Sequence, residues 1–135
     1  MVKIKHAATF LGPNLGLTTI GSHAYAYSGG KGASTSSVTY LDFTTGDGMF
    51  IGQFQFNTPL EQADPTAGIE ATCRIDFNGE MVSMLKASSD FNDNADGSVE
   101  QALIIPPNTH VIVVVDCHAT DATRFGTATI IGKII

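Results

Sequence analysis

Apolar and polar residues alternate with a period of two along most of this chain, which is the pattern that β-strands produce. The clearest alternation lies in IEATCRIDF, residues 69–77, where every odd position is apolar and every even position is polar. Asn78-Gly79 follows directly, and this dipeptide tolerates the backbone angles of a type I′ turn. The pattern therefore predicts a half-buried strand, a two-residue turn and an antiparallel strand over residues 80–88.

A two-residue turn also determines which side chains of the second strand face the core. The resulting pairing predicts Val82 and Met84 on the core side of the hairpin, opposite the apolar residues of the first strand. Met81 and Leu85 then project outward, on a face whose other side chains are polar. Apolar side chains in such a position are typical of a contact surface, so we predict that Met81 and Leu85 lie in an interface.

Other segments with strand-like patterns are distributed over the whole chain. Turns rich in Gly, Pro, Asn and Asp separate them, and almost no segment has the period of a helix. The predicted strands are residues 22–28, 34–43, 48–57, 100–105, 109–117 and 125–135, with a further possible strand at 2–5. Together with the hairpin they make eight or nine short strands, which predicts an all-β fold with a single antiparallel β-sandwich.

Two segments indicate where the core of this sandwich lies. Phe50, Phe54 and Phe56 fall on one side of a predicted strand and are therefore core candidates. VIVVV, residues 111–115, is apolar on both faces, which predicts a central strand or a strand that is covered on both sides.

The chain length suits one domain, which we place at residues 21–135. Residues 1–20 carry apolar groups without clear periodicity and are predicted to form an amino-terminal arm or an edge segment. The Gly/Ser-rich stretch 28–37 is predicted to be a mobile surface loop. The arm residues that we expect to contact neighbouring subunits are Phe10, Leu11, Leu15 and Leu17.

The composition changes this picture in two ways. Charged residues make up only 15% of the chain, where about 25% is usual, so we expect much of the exterior to be covered by other subunits. The net charge of −6 without a cluster of Lys or Arg argues against nucleic acid as a partner. No apolar stretch is long enough to span a membrane, and Gly12 and Pro13 interrupt the amino-terminal apolar run, so we expect synthesis and folding in cytoplasm.

One loop carries half of a calcium-binding motif. Asn92, Asn94 and Asp96 have the spacing of the first oxygen ligands of an EF-hand loop, and Gly97 stands at its sharp turn. The twelfth position is Leu103 instead of a bidentate Glu, and no helices flank the loop. The three residues are therefore a weak calcium candidate, and an ordinary inter-strand loop is the favoured interpretation.

The histidines and cysteines do not form a recognisable catalytic pattern. No two of His6, His23, His110 and His118 have the spacing that brings two imidazoles to one metal ion. Cys73 and Cys117 are interpreted as small buried hydrophobic residues, and His118 should point to the opposite face of its strand from Cys117. The sequence therefore predicts no catalytic residues, no cofactor and a protein that is not an enzyme.

A sugar-binding module is the main alternative that the residues allow. Tyr25 and Tyr27 share one face of a strand and could form a small platform for a sugar ring, although such a pair is more often core or subunit interface. The loops at 28–37 and 88–99 would complete such a site. A third interpretation, a small hydrolase, requires a pair of carboxylates that distant strands bring together.

Three stretches carry a resemblance to a known group of proteins. They are VTYLDFTTGDGMFIGQFQF at 38–56, ALIIPPNTHVIVVV at 102–115 and TATIIGKII at 127–135. In their order and pattern they resemble the small jelly-roll structural proteins of tailed-phage and large-virus particles. In that group the IPPNTHV-like segment leads into an inner strand, and a Gly-Lys pair, here Gly132-Lys133, lies near the end of the sandwich.

The resemblance implies a jelly-roll fold and a role in the virion, without any catalytic or cofactor residue. For a chain of this size it implies a decoration, or cement, protein on the exterior of the capsid. The expected partners are other copies of the chain, in a homotrimer, and the major capsid protein. The expected mechanism is mechanical: subunits bridge adjoining capsomers and stabilise the shell.

Overall fold

The computed structural model describes residues 17–60, 69–88 and 98–135, and strands occupy most of them. The prediction of an all-β chain is confirmed for these residues. The ten strands are β1 (Thr18–Ile20), β2 (His23–Tyr27), β3 (Lys31–Ala33), β4 (Val38–Thr44), β5 (Phe50–Leu60), β6 (Glu70–Phe77), β7 (Glu80–Ser88), β8 (Ser98–Ile105), β9 (His110–Cys117) and β10 (Asp121–Ile134).

The strands form two antiparallel sheets that pack face to face. The six-stranded sheet has the order β1-β2-β10-β5-β8, and β3 pairs with the first part of β10. The four-stranded sheet has the order β4-β9-β6-β7. Long β10 lies between β2 and β5 and also pairs with β3, so it has the most pairing partners in the larger sheet. This arrangement is the antiparallel β-sandwich that the alternation predicted.

The core lies between the sheets and is built from the inward positions of each strand. Phe50, Phe54 and Phe56 of β5 are fully buried, as expected from their shared side of the strand. Strand β9 lies between β4 and β6, which confirms a central position for VIVVV. The apolar outward residue Val114 is also buried, at 8% exposure, but outward His110 and Asp116 are exposed, so β9 is central without being covered on both faces.

Two short strands were not predicted as such. β1 forms a tight hairpin with β2 through Gly21, whose φ of 60° is in the left-handed region that favours glycine. β3 lies within 28–37, which we had predicted to be a mobile loop, and it pairs with β10. The sequence Lys-Gly-Ala is too short to show alternation, so only its pairing with β10 reveals it as a strand.

The hairpin of β6 and β7 follows the predicted turn but not the predicted pairing. Asn78 and Gly79 both have positive φ, as a type I′ turn requires, and Asp76 pairs with Met81. The register then shifts, so that Ile75 pairs with Ser83 and Val82 is left without a partner on β6. This β-bulge adds one residue to β7 and reverses the faces of every later side chain.

The bulge corrects three of the predicted orientations. Val82 and Met84 are exposed to 49% and 57%, so their predicted place in the core is wrong. Leu85 pairs with Cys73 and packs against the core, so its predicted outward orientation is also wrong. Met81 is 56% exposed opposite Asp76, and its outward orientation is confirmed.

Candidate functional site

The outward side chains of the six-stranded sheet form a broad surface, which we call the open face. The strand pairings arrange these side chains in rows that cross the sheet. The first row is Ile20, His23, Lys133, Ile51 and Ile104; the second is Thr18, Tyr25, Ile131, Gln53 and Ala102; the third is Tyr27, Thr129, Gln55 and Glu100; and the fourth is Thr127, Asn57 and Ser98.

The open face is apolar at one end and polar at the other. Ile20, Ile104 and Ile131 are more than half exposed, and Ile51 is 40% exposed. At the polar end, Asn57 donates to Thr127 at 3.1 Å and Gln55 donates to Ser98 at 3.2 Å. Because an antiparallel sheet usually keeps polar side chains on its solvent side, four exposed isoleucines on one outer face indicate a contact surface.

These isoleucines were missed in the sequence, although a signal was present. Ile51, Ile104 and Ile131 each stand next to a buried apolar residue, in the doublets Phe50-Ile51, Ile104-Ile105 and Ile130-Ile131. In a strand, adjacent residues point to opposite faces, so each doublet places one side chain outside the core. Apolar doublets in several strands of one sheet therefore predict an apolar outer face.

Charge is scarce and balanced on the open face. Its charged side chains are Lys133 and Glu100, both exposed, and His23 is the remaining titratable group of the first three rows besides the two tyrosines. With neutral His23 the formal charge of the face is zero, whereas the whole chain carries −6. The open face therefore adds no net charge to the electrostatic repulsion between two copies of this acidic chain.

The outer face of the four-stranded sheet has a different character. Arg74 Nε lies 3.2 Å from Asp76 Oδ1, and His110 Nε2 lies 2.6 Å from Asp42 Oδ1. Lys86 forms a further ion pair with Glu70, whose pKa is lowered by the hydrogen bond and charge of this lysine. Polar and ionic pairs of this kind, one within β6 and two across neighbouring strands, are typical of a solvated face.

One smaller apolar cluster interrupts the edge of that sheet. Met81, Val82 and Met84, the hairpin patch, are all about half exposed on β7. The bulge is the cause, because it directs Val82 and Met84 outward on the strand that already exposes Met81. The exposed apolar cluster around Met81 is thus larger than the alternation predicted, and Leu85 is not part of it.

Tyr25 and Tyr27 lie side by side on the open face. Their ring centroids are 5.2 Å apart with planes tilted by 40°, and Tyr27 is half exposed. They are therefore not sandwich core, which leaves the sugar platform and the subunit interface as alternatives for this pair. Tyr40, the third tyrosine, is buried and meets Phe56 edge to face.

The remaining predicted site residues fall into two groups. Leu17 is only 9% exposed and belongs to the core cluster of its own chain, so its side chain is not available for the predicted contact with a neighbouring subunit. The other predicted contacts and the calcium candidates lie outside the described residues; they are Phe10, Leu11, Leu15, Asn92, Asn94 and Asp96.

The described cysteines are buried, and His118 has a hydrogen-bond partner in the backbone. Within 17–60, 69–88 and 98–135, no group of three or more His, Cys, Asp or Glu side chains could hold a metal ion. His118 Nδ1 accepts a hydrogen bond from the Glu70 N–H at 2.9 Å and points away from buried Cys117, as expected. Burial raises the pKa of the Cys73 thiol to about 12 and also raises the pKa of Cys117, so both thiols stay protonated at neutral pH.

Tyr40 supplies a test of the core packing. Its hydroxyl is buried without a hydrogen-bond partner among the described residues, and burial raises its pKa. Because an unsatisfied buried hydroxyl is destabilising, we expect Tyr40→Phe to raise the free energy of unfolding by about 1 kcal/mol. Urea denaturation followed by circular dichroism measures this difference. A clear loss of stability in Tyr40→Phe would contradict it and indicate a hidden partner for the hydroxyl.

Neither a protein-family model nor a curated protein matches the chain. Among the described residues, no helix is long and apolar enough to cross a membrane.

Proposed function

We propose that this chain is a structural subunit of a virus particle, a capsid decoration protein that assembles with other copies of itself on the exterior of the shell. The observation that carries the proposal is the open face, where exposed isoleucines and a tyrosine pair lie with almost no charge. A surface of this kind is stable in water when another protein covers it. The expected partners are copies of the chain, in a trimer, and the major capsid protein.

The order of the strands supports the jelly-roll part of the proposal. Without the short strands β1 and β3, one sheet has the order β2-β10-β5-β8 and the other β4-β9-β6-β7. Eight strands lettered B to I in chain order give BIDG and CHEF, which is the arrangement of a jelly roll. β1 and β3 are then additions at the edge of the first sheet.

The mechanism follows from many weak contacts acting together. A decoration protein with several apolar surfaces binds adjoining capsomers at once, so that splitting the shell requires breaking all of these contacts. The open face and the hairpin patch lie on opposite sheets, so one subunit can contact two neighbours at the same time. The amino-terminal arm, with Phe10, Leu11 and Leu15, is the proposed third contact.

A carbohydrate-binding or host-attachment module is the second candidate, and one observation favours it. The pair of Tyr25 and Tyr27 is accessible on the open face and offers aromatic surface on which a sugar ring could stack. The exposed side chain of Ile131, which is paired with Tyr25, favours burial by protein at this place.

Shell binding distinguishes the two candidates. Purified chain is mixed with shells assembled from the major capsid protein of the same virus, and co-sedimentation is measured over a range of concentrations. We expect saturable binding by the full chain and loss of binding when residues 1–16 are deleted. Residue 17 is kept because Leu17 belongs to the core. A glycan array run in parallel should be negative; no shell binding together with saturable binding to one sugar class would overturn the proposal.

A further inference from the structure

We propose that the open face docks a second copy of this chain about a twofold axis that passes over Tyr27 and Gln53. The inference rests on the proposed function, because it assumes that the chain works by assembling, and it names the partner of the open face. It follows from the positions of the two charges, from the side chains that the same axis brings together, and from the neutrality of the face.

The two charges lie symmetrically about Gln53. Lys133 on β10 is paired with Ile51 of β5, and Glu100 on β8 is paired with Gln55 of β5, so Gln53 lies midway between them. With strands about 4.8 Å apart and a rise of about 3.4 Å per residue, Lys133 and Glu100 are separated by about 17 Å. A twofold axis in the plane of the contact, perpendicular to the line that joins them, therefore places Lys133 of each copy over Glu100 of the other.

The same axis also determines which uncharged side chains of the two copies meet. On the grid of strand pairings it runs diagonally through Tyr27, so the half-exposed tyrosines of the two copies meet on the axis. It also places Ile51 of one copy near Ala102 of the other. Two other exposed isoleucines meet polar side chains, because Ile131 lies near Gln55 and Ile20 near Asn57 of the other copy. One operation thus pairs both charges, joins the two Tyr27 rings and covers these isoleucines, which is the self-complementarity that an isologous contact requires.

Net charge favours this face over the others for contact between copies. Two chains with −6 each repel at long range, and the repulsion is smallest where the facing surfaces are neutral and pair opposite charges. On the outer face of the four-stranded sheet, Arg74 and Lys86 are each paired with a carboxylate of the same chain, and His110 contacts Asp42. The positive charges of this outer face are therefore less available to the carboxylates of a second copy.

The hairpin patch is a poorer partner for the open face. It belongs to the opposite sheet, so contact between these two surfaces joins different patches of the two copies and closes only if the rotation between copies forms a ring. A twofold contact between two open faces closes after two copies. It leaves the hairpin patch free for a different neighbour.

The size of the open face predicts a weak contact. Between their outermost positions, five strands and four rows span roughly 19 Å by 20 Å, which is small compared with the about 800 Å² that each partner buries in a standard stable interface. We therefore expect the contact to dissociate on dilution, with a dissociation constant in the micromolar range or weaker.

Charge reversal tests the twofold contact in the full-length protein. Sedimentation velocity over a range of concentrations is measured for the wild type, Lys133→Glu, Glu100→Lys and the double variant. Each single variant places like charges opposite each other twice, so we expect self-association to weaken by about tenfold or more at low salt. The double variant restores opposite charges and should recover most of the association. Lys86→Glu, on the other sheet, is the matched control and should associate like the wild type.

The outcomes separate this inference from the proposed function. Weaker self-association in both single variants and its recovery in the double variant would support the twofold contact. This holds whether the contact joins two single chains into a dimer or two trimers into a hexamer. Assembly of the wild type that neither single variant changes would overturn the twofold contact and leave shell binding in place. Retained self-association without shell binding would instead overturn the decoration role alone.

Discussion

Phe54→Ala is expected to lower the free energy of unfolding by about 4 kcal/mol, because it removes a fully buried ring from the centre of the sandwich. Phe54 lies on β5 between buried Phe50 and Phe56, and its inward position places it against the facing sheet. Neighbouring strands hold the backbone of β5 on both sides, so the core cannot collapse into the space that the ring leaves. Urea denaturation at one fixed protein concentration measures the change.

The matched control for this variant is Phe125→Ala. Phe125 is 56% exposed on β10, so its loss should change the free energy of unfolding by less than about 1 kcal/mol. If Phe54→Ala does not fold, Phe54→Leu provides a measurable variant, with an expected loss of about 1 to 2 kcal/mol. Equal losses for Phe54 and Phe125 would contradict the assignment of the core.

Gly132→Ala is expected to destabilise the protein by about 3 kcal/mol, because there is no room for a methyl group at this position. Gly132 pairs with Gly52 between β10 and β5, and the ring of Phe50 lies over both glycines. A Cβ atom on Gly132 would lie 2.6 Å from Cα of Gly52 and 2.7 Å from Cζ of Phe50, and it would also meet the Ile51 carbonyl oxygen. Backbone atoms cannot yield as a flexible side chain can, so the two strands must separate.

Gly46→Ala is the control for the glycine pair. A Cβ atom on Gly46 meets nothing within 4 Å, so we expect little or no loss of stability there. Thermal unfolding followed by circular dichroism ranks the two variants. Equal stability of Gly132→Ala and the wild type would show that β10 and β5 are less closely packed than the pairing of Gly52 with Gly132 implies.

Alternation along the chain was sufficient to predict the architecture but not every register. β5, β6 and β9 were predicted from local pattern, because the core side of a strand is encoded residue by residue. The bulge at Val82 was not, since an unpaired residue depends on the neighbouring strand rather than on the hairpin's own sequence. β3 was missed for a related reason: three residues carry no period, and only pairing with β10 defines the strand.

The candidate site was only partly accessible from the sequence. The low content of charge predicted an exterior made for contact, but it did not say which face. The outward orientation of Met81 was predicted correctly, whereas Leu17 lies in the core and Leu85 packs against it. An apolar residue in an aperiodic segment or after a bulge cannot be oriented from pattern alone. The open face became visible only when the strand order brought Ile20, Ile51, Ile104 and Ile131 onto one surface.

The central claim is that this charge-poor sandwich is built to be covered by other copies of itself. Multi-angle light scattering of the full-length protein, coupled to size-exclusion chromatography at increasing loading concentration, tests that claim most directly. We predict a mass that rises with concentration from the 14.2 kDa of one chain toward a whole-number multiple of it. A constant mass of one chain at every concentration would contradict the account.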